Sequence, residues 1–202
     1  MTENLIQLLY KEKICPIIRN KDAKSVVDIA HALCDGGINV MEINVENTSI
    51  YKAIEEVSGF VNVCAGGIIT SAQADAAIKS GAKLLSSPIF SMNLVKLSKD
   101  KGIPFIAGTS TANEAYAAWK ARIPLIKIYP ITALGGVMYL EDLLRPMPFL
   151  NIMPLGNVKI DEVKSYIDIG AKVVGVGRDL YDGLSLSEIT NRAKKVVNNL
   201  RN

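Results

Sequence analysis

Lys127 and Glu42 are the two residues of this chain whose type and setting suit covalent chemistry on a carbonyl compound. Lys127 stands in the middle of Leu125-Ile126-Lys127-Ile128-Tyr129-Pro130, a short apolar run of β-formers with Pro124 before it. Such a run reads as a strand covered on both faces, as in parallel sheets flanked by helices. A lysine there has no inexpensive route to water. A neutral amine in a dry site is a nucleophile suited to carbonyl carbons, which is Schiff-base chemistry. The plainer alternative is a lysine near a strand end that snorkels outward.

Glu42 lies mid-strand in Val40–Val45, where Met41, Ile43 and Val45 share one face and Glu42, Asn44 and Glu46 the other. A buried carboxylate is costly unless paired or protonated. Glu42 is therefore either half of a structural ion pair, with Lys127 or Arg19, or a general acid/base working beside the amine. Glu46 lies ~13 Å farther along an extended strand and reads as a solvated rim residue. Carboxylates so placed on one strand do not make a glycosidase pair.

The elements that must position these groups alternate regularly. After an amphipathic N-terminal helix (MTENLIQLLYKEK, without the character of a signal peptide), strands are expected at Ile14–Arg19, Val40–Val45, Val61–Gly66, Lys83–Ser87, Pro104–Gly108, Leu125–Tyr129, Asn151–Pro154 and Lys172–Gly177. Helical patterns run between them at Asp22–Cys34, Ser49–Ser58, Ser71–Ser80, Met92–Lys101, Thr111–Arg122, Val137–Leu144 and Asp161–Ile169, with a last helix from about Ser187 to Leu200. Several open on Ser, Thr or Asp and close on Gly. Strand centres recur roughly every 20–26 residues, the mark of a serial βα array. Such an array over residues 1–202 reads as one α/β domain, a (β/α)8 TIM barrel with an extra N-terminal helix. A doubly wound open sheet is the alternative, but no glycine-rich phosphate loop follows the first strand.

Barrel chemistry sits at the C-terminal ends of the strands. Those ends carry Arg19, Gly66-Gly67, Ser87-Pro88, Gly108-Thr109, Lys127, Pro154-Leu155-Gly156-Asn157 and Gly177-Arg178. Lys83 and Lys172 fall at strand beginnings on the opposite rim. Arg178 has two readings: an anion-binding guanidinium, or a salt bridge to Asp179 or Asp182.

Composition narrows the classes. A formal net charge of +3 without a Lys/Arg cluster does not point to nucleic acid, and no apolar run approaches membrane-spanning length. Three cysteines in apolar segments (Cys15, Cys34, Cys64) fit reduced thiols of a cytoplasmic protein better than a disulfide framework or metal site. The single histidine, His31, lies mid-helix and reads as structural, so acid–base work falls to carboxylates, tyrosines or lysine.

The residues resemble the class I 2-keto-3-deoxy-6-phosphogluconate (KDPG) aldolases, with their 4-hydroxy-2-oxoglutarate (KHG) and phosphogalactonate relatives, over nearly the whole chain. The resemblance rests on IIR, GGINVMEINV, VCAGGIITSAQADAAIKSGAKLLSSP, IAGTSTANEA, LIKIYP followed by Gly135-Gly136, PLGNV and VVGVGRDL, in that order. It implies a Schiff base between Lys127 and a pyruvate unit, Glu42 as proton shuttle, no cofactor, and a homotrimer. It also implies substrate contacts from Arg19, Gly66, Gly67, Pro88, Thr109, Pro130, Gly156, Asn157 and Arg178. The chain departs from the family pattern at Glu46 (often arginine), at Gly67 (a threonine in GAGTV), at Leu155 and Asn157 (PTGG), and at Arg178 (serine). Losing a hydroxyl contact to an ionised group costs about 1.5–3 kcal/mol.

The leading expectation is thus a Schiff-base aldolase that cleaves a 4-hydroxy-2-oxo acid to pyruvate and an aldehyde. Two others stand beside it: a metal-dependent lyase using Glu42 and Glu46, and a non-catalytic barrel binding a 2-oxo acid or sugar acid.

Overall fold

Each expected β-run forms a strand: β1 (Ile14–Ile18), β2 (Val40–Asn44), β3 (Asn62–Gly66), β4 (Leu84–Ser86), β5 (Phe105–Thr109), β6 (Leu125–Ile128), β7 (Ile152–Pro154) and β8 (Val174–Val176). The computed structural model describes residues 5–201; residues 1–4 of the expected N-terminal helix, and residue 202, lie outside them. The strands pair in parallel in the order β7-β6-β5-β4-β3-β2-β1-β8. Between β7 and β8 a single hydrogen bond, from the Lys172 amide to the Ile152 carbonyl (2.9 Å), bridges the remaining gap. The result is a nearly closed (β/α)8 TIM barrel.

Around it run α1 (Leu5–Glu12), α2 (Ala23–Asp35), α3 (Ile50–Val57), α4 (Ser71–Lys79), α5 (Met92–Lys101), α6 (Ala112–Lys120), α7 (Ile131–Leu134), α8 (Gly136–Leu144), α9 (Val163–Asp168) and α10 (Leu186–Arg201). Their starts follow local chemistry. The Asp22 carboxylate accepts the Ser25 amide, and Thr70 and Thr111 form capping boxes with Gln73 and Glu114. α5 ends where Gly102 turns left-handed (φ 66°).

The stretch after β6 differs from expectation. A short α7 comes first, then Gly135 and Gly136 at φ 122° and 66°, and only then α8. The expected Val137–Leu144 helix is α8; the added turn before it, α7, is set off from it by positive φ at both glycines. The expected Asp161–Ile169 helix likewise begins as a 3-10 turn, Ile160–Glu162.

Two apolar layers follow from strand parity. Met41, Ile43, Val63, Ala65, Ile126 and Ile128 face outward under the helices. Val40, Cys64, Leu84, Ile106, Leu125, Met153 and Val173 fill the lumen, joined from below by Leu5, Ile6, Leu8 and Leu9 of α1. The i, i+3, i+4 spacing of Leu5, Leu8 and Leu9 puts them on one face, and each buried leucine contributes about 1.5–3 kcal/mol. α1 therefore plugs the N-terminal end, and the C-terminal end is left for chemistry. Tyr10, in the second half of α1, donates its hydroxyl to the Pro124 carbonyl just ahead of β6.

Candidate active site

Lys127 and Glu42 meet inside the barrel. The lysine Nζ lies 2.9 Å from each Glu42 carboxylate oxygen, and the two residues are 2% and 1% exposed. Parity had placed Glu42 in the lumen, and Val40 in the inner cluster with Met41 and Ile43 in the outer one agrees. Of the two structural partners considered for Glu42, it is Lys127 and not Arg19 that it holds. Snorkelling of Lys127 is ruled out by its burial.

Strand register explains why residues so far apart in sequence come together. Residue pairs run Glu42–Cys64, Cys64–Leu84, then Ser86–Ile106, Ile106–Leu125. Because barrel strands tilt, each paired step descends by roughly one residue along the barrel axis. Two strands on from Glu42 the paired residue is Leu84, so the level residue is Ser86. Two strands farther the paired residue is Leu125, so the level residue is Lys127. From the other side, Gly175 pairs with Cys15, which brings Gly175 level with Glu42. One ring of the barrel thus holds Glu42, Ser86, Lys127 and Gly175, contributed by alternate strands.

Desolvating two charges costs several kcal/mol each, and their attraction seldom returns a surplus. A pair this dry stabilises the fold little in net terms, yet either member alone would leave an uncompensated charge. The arrangement keeps an amine and a carboxyl group in contact inside the barrel.

Glycines shape the space above. A Cβ at Gly66 would collide with Glu42 Oε1 and Asn44 Oδ1, and one at Gly108 with the Pro88 carbonyl. Gly67 follows at φ 72°. Opposite, a Cβ on Gly175 would sit 2.9 Å from Leu155 Cδ1, so the Leu155 side chain occupies that flank.

The rim residues have separate fates. Arg19 is mostly exposed, and its Nε donates to Glu46 Oε1 at 2.8 Å; Glu46 is therefore paired rather than merely solvated, its side chain 20% exposed. The Arg19 amide donates to the Tyr181 hydroxyl (2.9 Å), which burial keeps above its ordinary pKa. Arg178 is exposed and forms no ion pair among the described residues; Asp179 instead pairs with Lys159 at 3.0 Å. Arg19, Asn20, Arg178 and Tyr181 border a rim cleft of about 350 Å³ whose lining includes neither Lys127 nor Glu42.

Thr109 has another task than the expected substrate contact. Its buried hydroxyl donates to the Lys127 carbonyl at 3.2 Å, and strand parity turns it away from Gly108's lumen face. It positions the lysine's strand. Gly156 (φ 123°) and Asn157 (φ 56°) form a turn fastened to the loop after β6: the Ile131 amide donates to the Leu155 carbonyl (2.9 Å) and the Thr132 hydroxyl to the Gly156 carbonyl (2.6 Å). Pro130 follows a cis peptide and lies 2.8 Å from the Cβ position of Gly156. Pro88 is exposed at the end of β4.

Two lumen groups went unassigned in the sequence. Asn44 Oδ1 and Ser86 Oγ are buried without a hydrogen-bond partner among the described residues. Parity alone would have found both: Asn44 shares Glu42's face, and Ser86 lies two residues beyond the lumen-facing Leu84. Below the ring, burial pushes the Cys15 and Cys64 thiols far above their ordinary range, with Glu42's charge adding to it. They are protonated packing groups. Cys34 is a free, half-buried thiol, and His31 stacks on Phe60 at 4.0 Å between ring centres. Among the described residues no cluster of three or more His, Cys, Asp or Glu side chains could hold a metal ion. The carboxylates a metal-dependent lyase would use are each committed to a cation, Glu42 to Lys127 and Glu46 to Arg19.

Comparison with known proteins agrees with this geometry. A family model for KDPG and KHG aldolase matches residues 5–198. The 2-dehydro-3-deoxy-phosphogluconate aldolase of Haemophilus influenzae is 29% identical over 172 residues, covering 83% of this chain and 81% of its own. The KHG/KDPG aldolase of Escherichia coli K12 is 25% identical over 198 residues, covering 94% and 93%. Among solved structures, the KDPG aldolase of Legionella pneumophila, with pyruvate captured at low pH as a covalent carbinolamine intermediate, aligns with a TM-score of 0.87 at 22% identity, covering 97% of this chain and 99% of that one. The 2-keto-3-deoxy-6-phosphogluconate aldolase of Zymomonas mobilis with 3-phosphoglycerate gives 0.87 at 20% identity, covering 95% and 94%. At these identities the structures speak for the shared fold.

Proposed function

This chain belongs to the KDPG and KHG aldolase family, and from that premise we propose that Lys127 forms a Schiff base with the C2 carbonyl of a 4-hydroxy-2-oxo acid. The observation that carries the proposal is the buried contact of Nζ with both oxygens of Glu42 at 2.9 Å. The amine gives its proton to Glu42 and bonds to C2. Glu42 passes that proton to the C2 oxygen, then takes a second from the carbinolamine nitrogen and passes it on, and the oxygen leaves as water. The carboxylate then takes the proton of the C4 hydroxyl; C3–C4 breaks, an aldehyde departs, and its bonding pair moves into the C3–C2 enamine conjugated with Nζ. Protonation at C3 and hydrolysis release pyruvate. The iminium itself is the electron sink, the role a cofactor would otherwise fill.

Backbone groups at Gly66 and Gly67, with Arg19, take the substrate carboxylate. Arg178 and the Gly156–Asn157 turn take the tail, where a guanidinium without a carboxylate partner suits an anionic or hydroxylated end. The assembly we propose is a homotrimer. The exposed aromatic cluster Tyr116–Trp119–Phe149 offers apolar surface for contacts, and sedimentation velocity reads the mass.

The test is borohydride reduction in the presence of pyruvate. A stable pyruvyl adduct is expected on Lys127 in the wild type and none in Lys127→Ala; an unmodified wild type overturns the assignment. A second reading, a barrel that binds a 2-oxo acid without turning it over, draws on Glu46 already engaging Arg19. Steady-state pyruvate release from a panel of 4-hydroxy-2-oxo acids separates the two.

A further inference from the structure

The ring that holds Lys127 and Glu42 has a third polar member to which no part of that chemistry has yet been given. Ser86 is fully buried, and its Oγ has no hydrogen-bond partner among the described residues. By register it is level with both Glu42 and Lys127, on the strand midway between theirs. The fourth member, Gly175, faces the Leu155 side chain, so that flank is taken. On the Ser86 flank, the neighbouring strands β3 and β5 present Gly66 and Gly108, which add no side chain to the lumen. Glu42 Oε1 and Asn44 Oδ1, from β2, fill the place a Gly66 side chain would take. Asn44 Oδ1 also has no partner among the described residues.

A buried hydroxyl or amide oxygen without a partner costs about 1–3 kcal/mol, and such groups persist where function uses them. Their chemistry defines what they would bind. Asn44 Oδ1 only accepts, and a serine hydroxyl both donates and accepts. Together, beside a carboxyl group, they complement a hydroxyl or a water and not a carboxylate, which needs donors alone.

Resting on the Schiff-base reading, we infer that Ser86 holds the C2 oxygen of the substrate as it passes from carbonyl to carbinolamine hydroxyl to departing water, and that Asn44 joins it once that oxygen carries a proton. When Nζ bonds to C2 the C=O π pair moves onto oxygen, and Glu42 protonates it. The resulting hydroxyl accepts a hydrogen bond from Ser86 and donates one to Asn44. Glu42, now a carboxylate, takes a proton from the carbinolamine nitrogen and passes it to the hydroxyl; the C2–O bond breaks with its electron pair leaving on water, and the nitrogen lone pair so freed closes the iminium. Ser86 loses no proton at any stage; it holds the leaving group on the side where Glu42 can reach it.

The experiment follows exchange of the pyruvate methyl protons into deuterium oxide by NMR at saturating pyruvate, with methyl-protonated and methyl-deuterated substrate compared. Exchange requires the iminium, so its rate reports carbinolamine dehydration once that step is slow. Ser86→Ala is expected to slow exchange roughly tenfold, the loss of one ordinary hydrogen bond. The primary isotope effect should fall toward one, because dehydration and no longer C–H cleavage limits the rate. The variant should still be trapped by borohydride on Lys127 at long times, with a thermal midpoint no lower than wild type. Exchange at the wild-type rate, or slowing with an unchanged isotope effect, overturns the inference, as does a raised half-saturation with unchanged maximal exchange, which would mark a carboxylate contact. A wild type that is not trapped at all would instead remove the Schiff-base reading on which this one stands.

Discussion

The lower lumen and the ring directly above it are built on the same strands, two residues apart, and they do opposite things. Below lie Val40, Leu84, Leu125 and Val173, sealed from beneath by the leucines of α1. One inward position higher on the same strands stand Glu42, Ser86, Lys127 and Gly175. The lower level satisfies every rule for a stable core. The upper one breaks several: it buries an ion pair, leaves a hydroxyl without a partner among the described residues, and replaces a side chain with hydrogen. A barrel can carry that cost because the strands are already held by the apolar levels and the helical layer around them.

The largest effect that would sharpen this contrast concerns the pair. Lys127→Met leaves the Glu42 carboxylate buried without its cation and is expected to cost about 3–5 kcal/mol in urea unfolding. Adding Glu42→Leu should bring stability back to wild type or above, with activity absent from both variants. If the double variant stays as unstable as the single one, the pair belongs to the scaffold and the contrast dissolves.

Next comes the level below. Leu84→Ala should lose about 2–5 kcal/mol through the cavity it opens, while the folded fraction at low temperature still forms the pyruvate adduct on Lys127. Loss of adduct in a variant that remains folded would show that the lower core also tunes the amine.

The smallest effect lies outside the lumen. Thr111→Ala removes the cap of α6 and should cost about 1 kcal/mol. Its partner Glu114 has a folded pKa lowered first by the Ser110 amide and then by the Thr111 hydroxyl. A lowered folded value means the stabilisation is fully present above the ordinary glutamate pKa and is lost as pH falls through the folded one. The stability gap between wild type and Glu114→Gln should thus narrow as pH falls below the ordinary glutamate pKa and through the lowered folded one, leaving turnover at neutral pH untouched. A gap that widens on acidification would show that the carboxylate is not what the cap relies on.

How much of this was legible beforehand varies with the range of the interaction. The βα alternation, most element boundaries and the inward parity of Glu42 are local or short-period properties, so they read directly from the chain. The break at Gly135-Gly136 was less visible, because glycine permits a positive φ without requiring it. Thr109 misled for a related reason: a hydroxyl at a strand end looks available, but its neighbour's carbonyl claimed it. Arg19 and Glu46, separated by 27 positions, were read one by one, and only the packed barrel shows them joined. Asn44 and Ser86 lay within reach of parity, yet a polar residue in a strand does not announce whether a neighbour satisfies it.

By itself the sequence pointed to a parallel barrel, to its C-terminal end as the place for chemistry, and to one lysine and one glutamate set in strands where water is hard to reach. Periodicity and burial are written residue by residue, so these needed no partner to be specified. Only the tertiary structure decided that the two meet, that Ser86 stands at their level, and that Gly66, Gly108 and Gly175 shape the space around them. Those facts depend on strand tilt and register around the whole barrel, a closure condition that no single stretch of the chain contains.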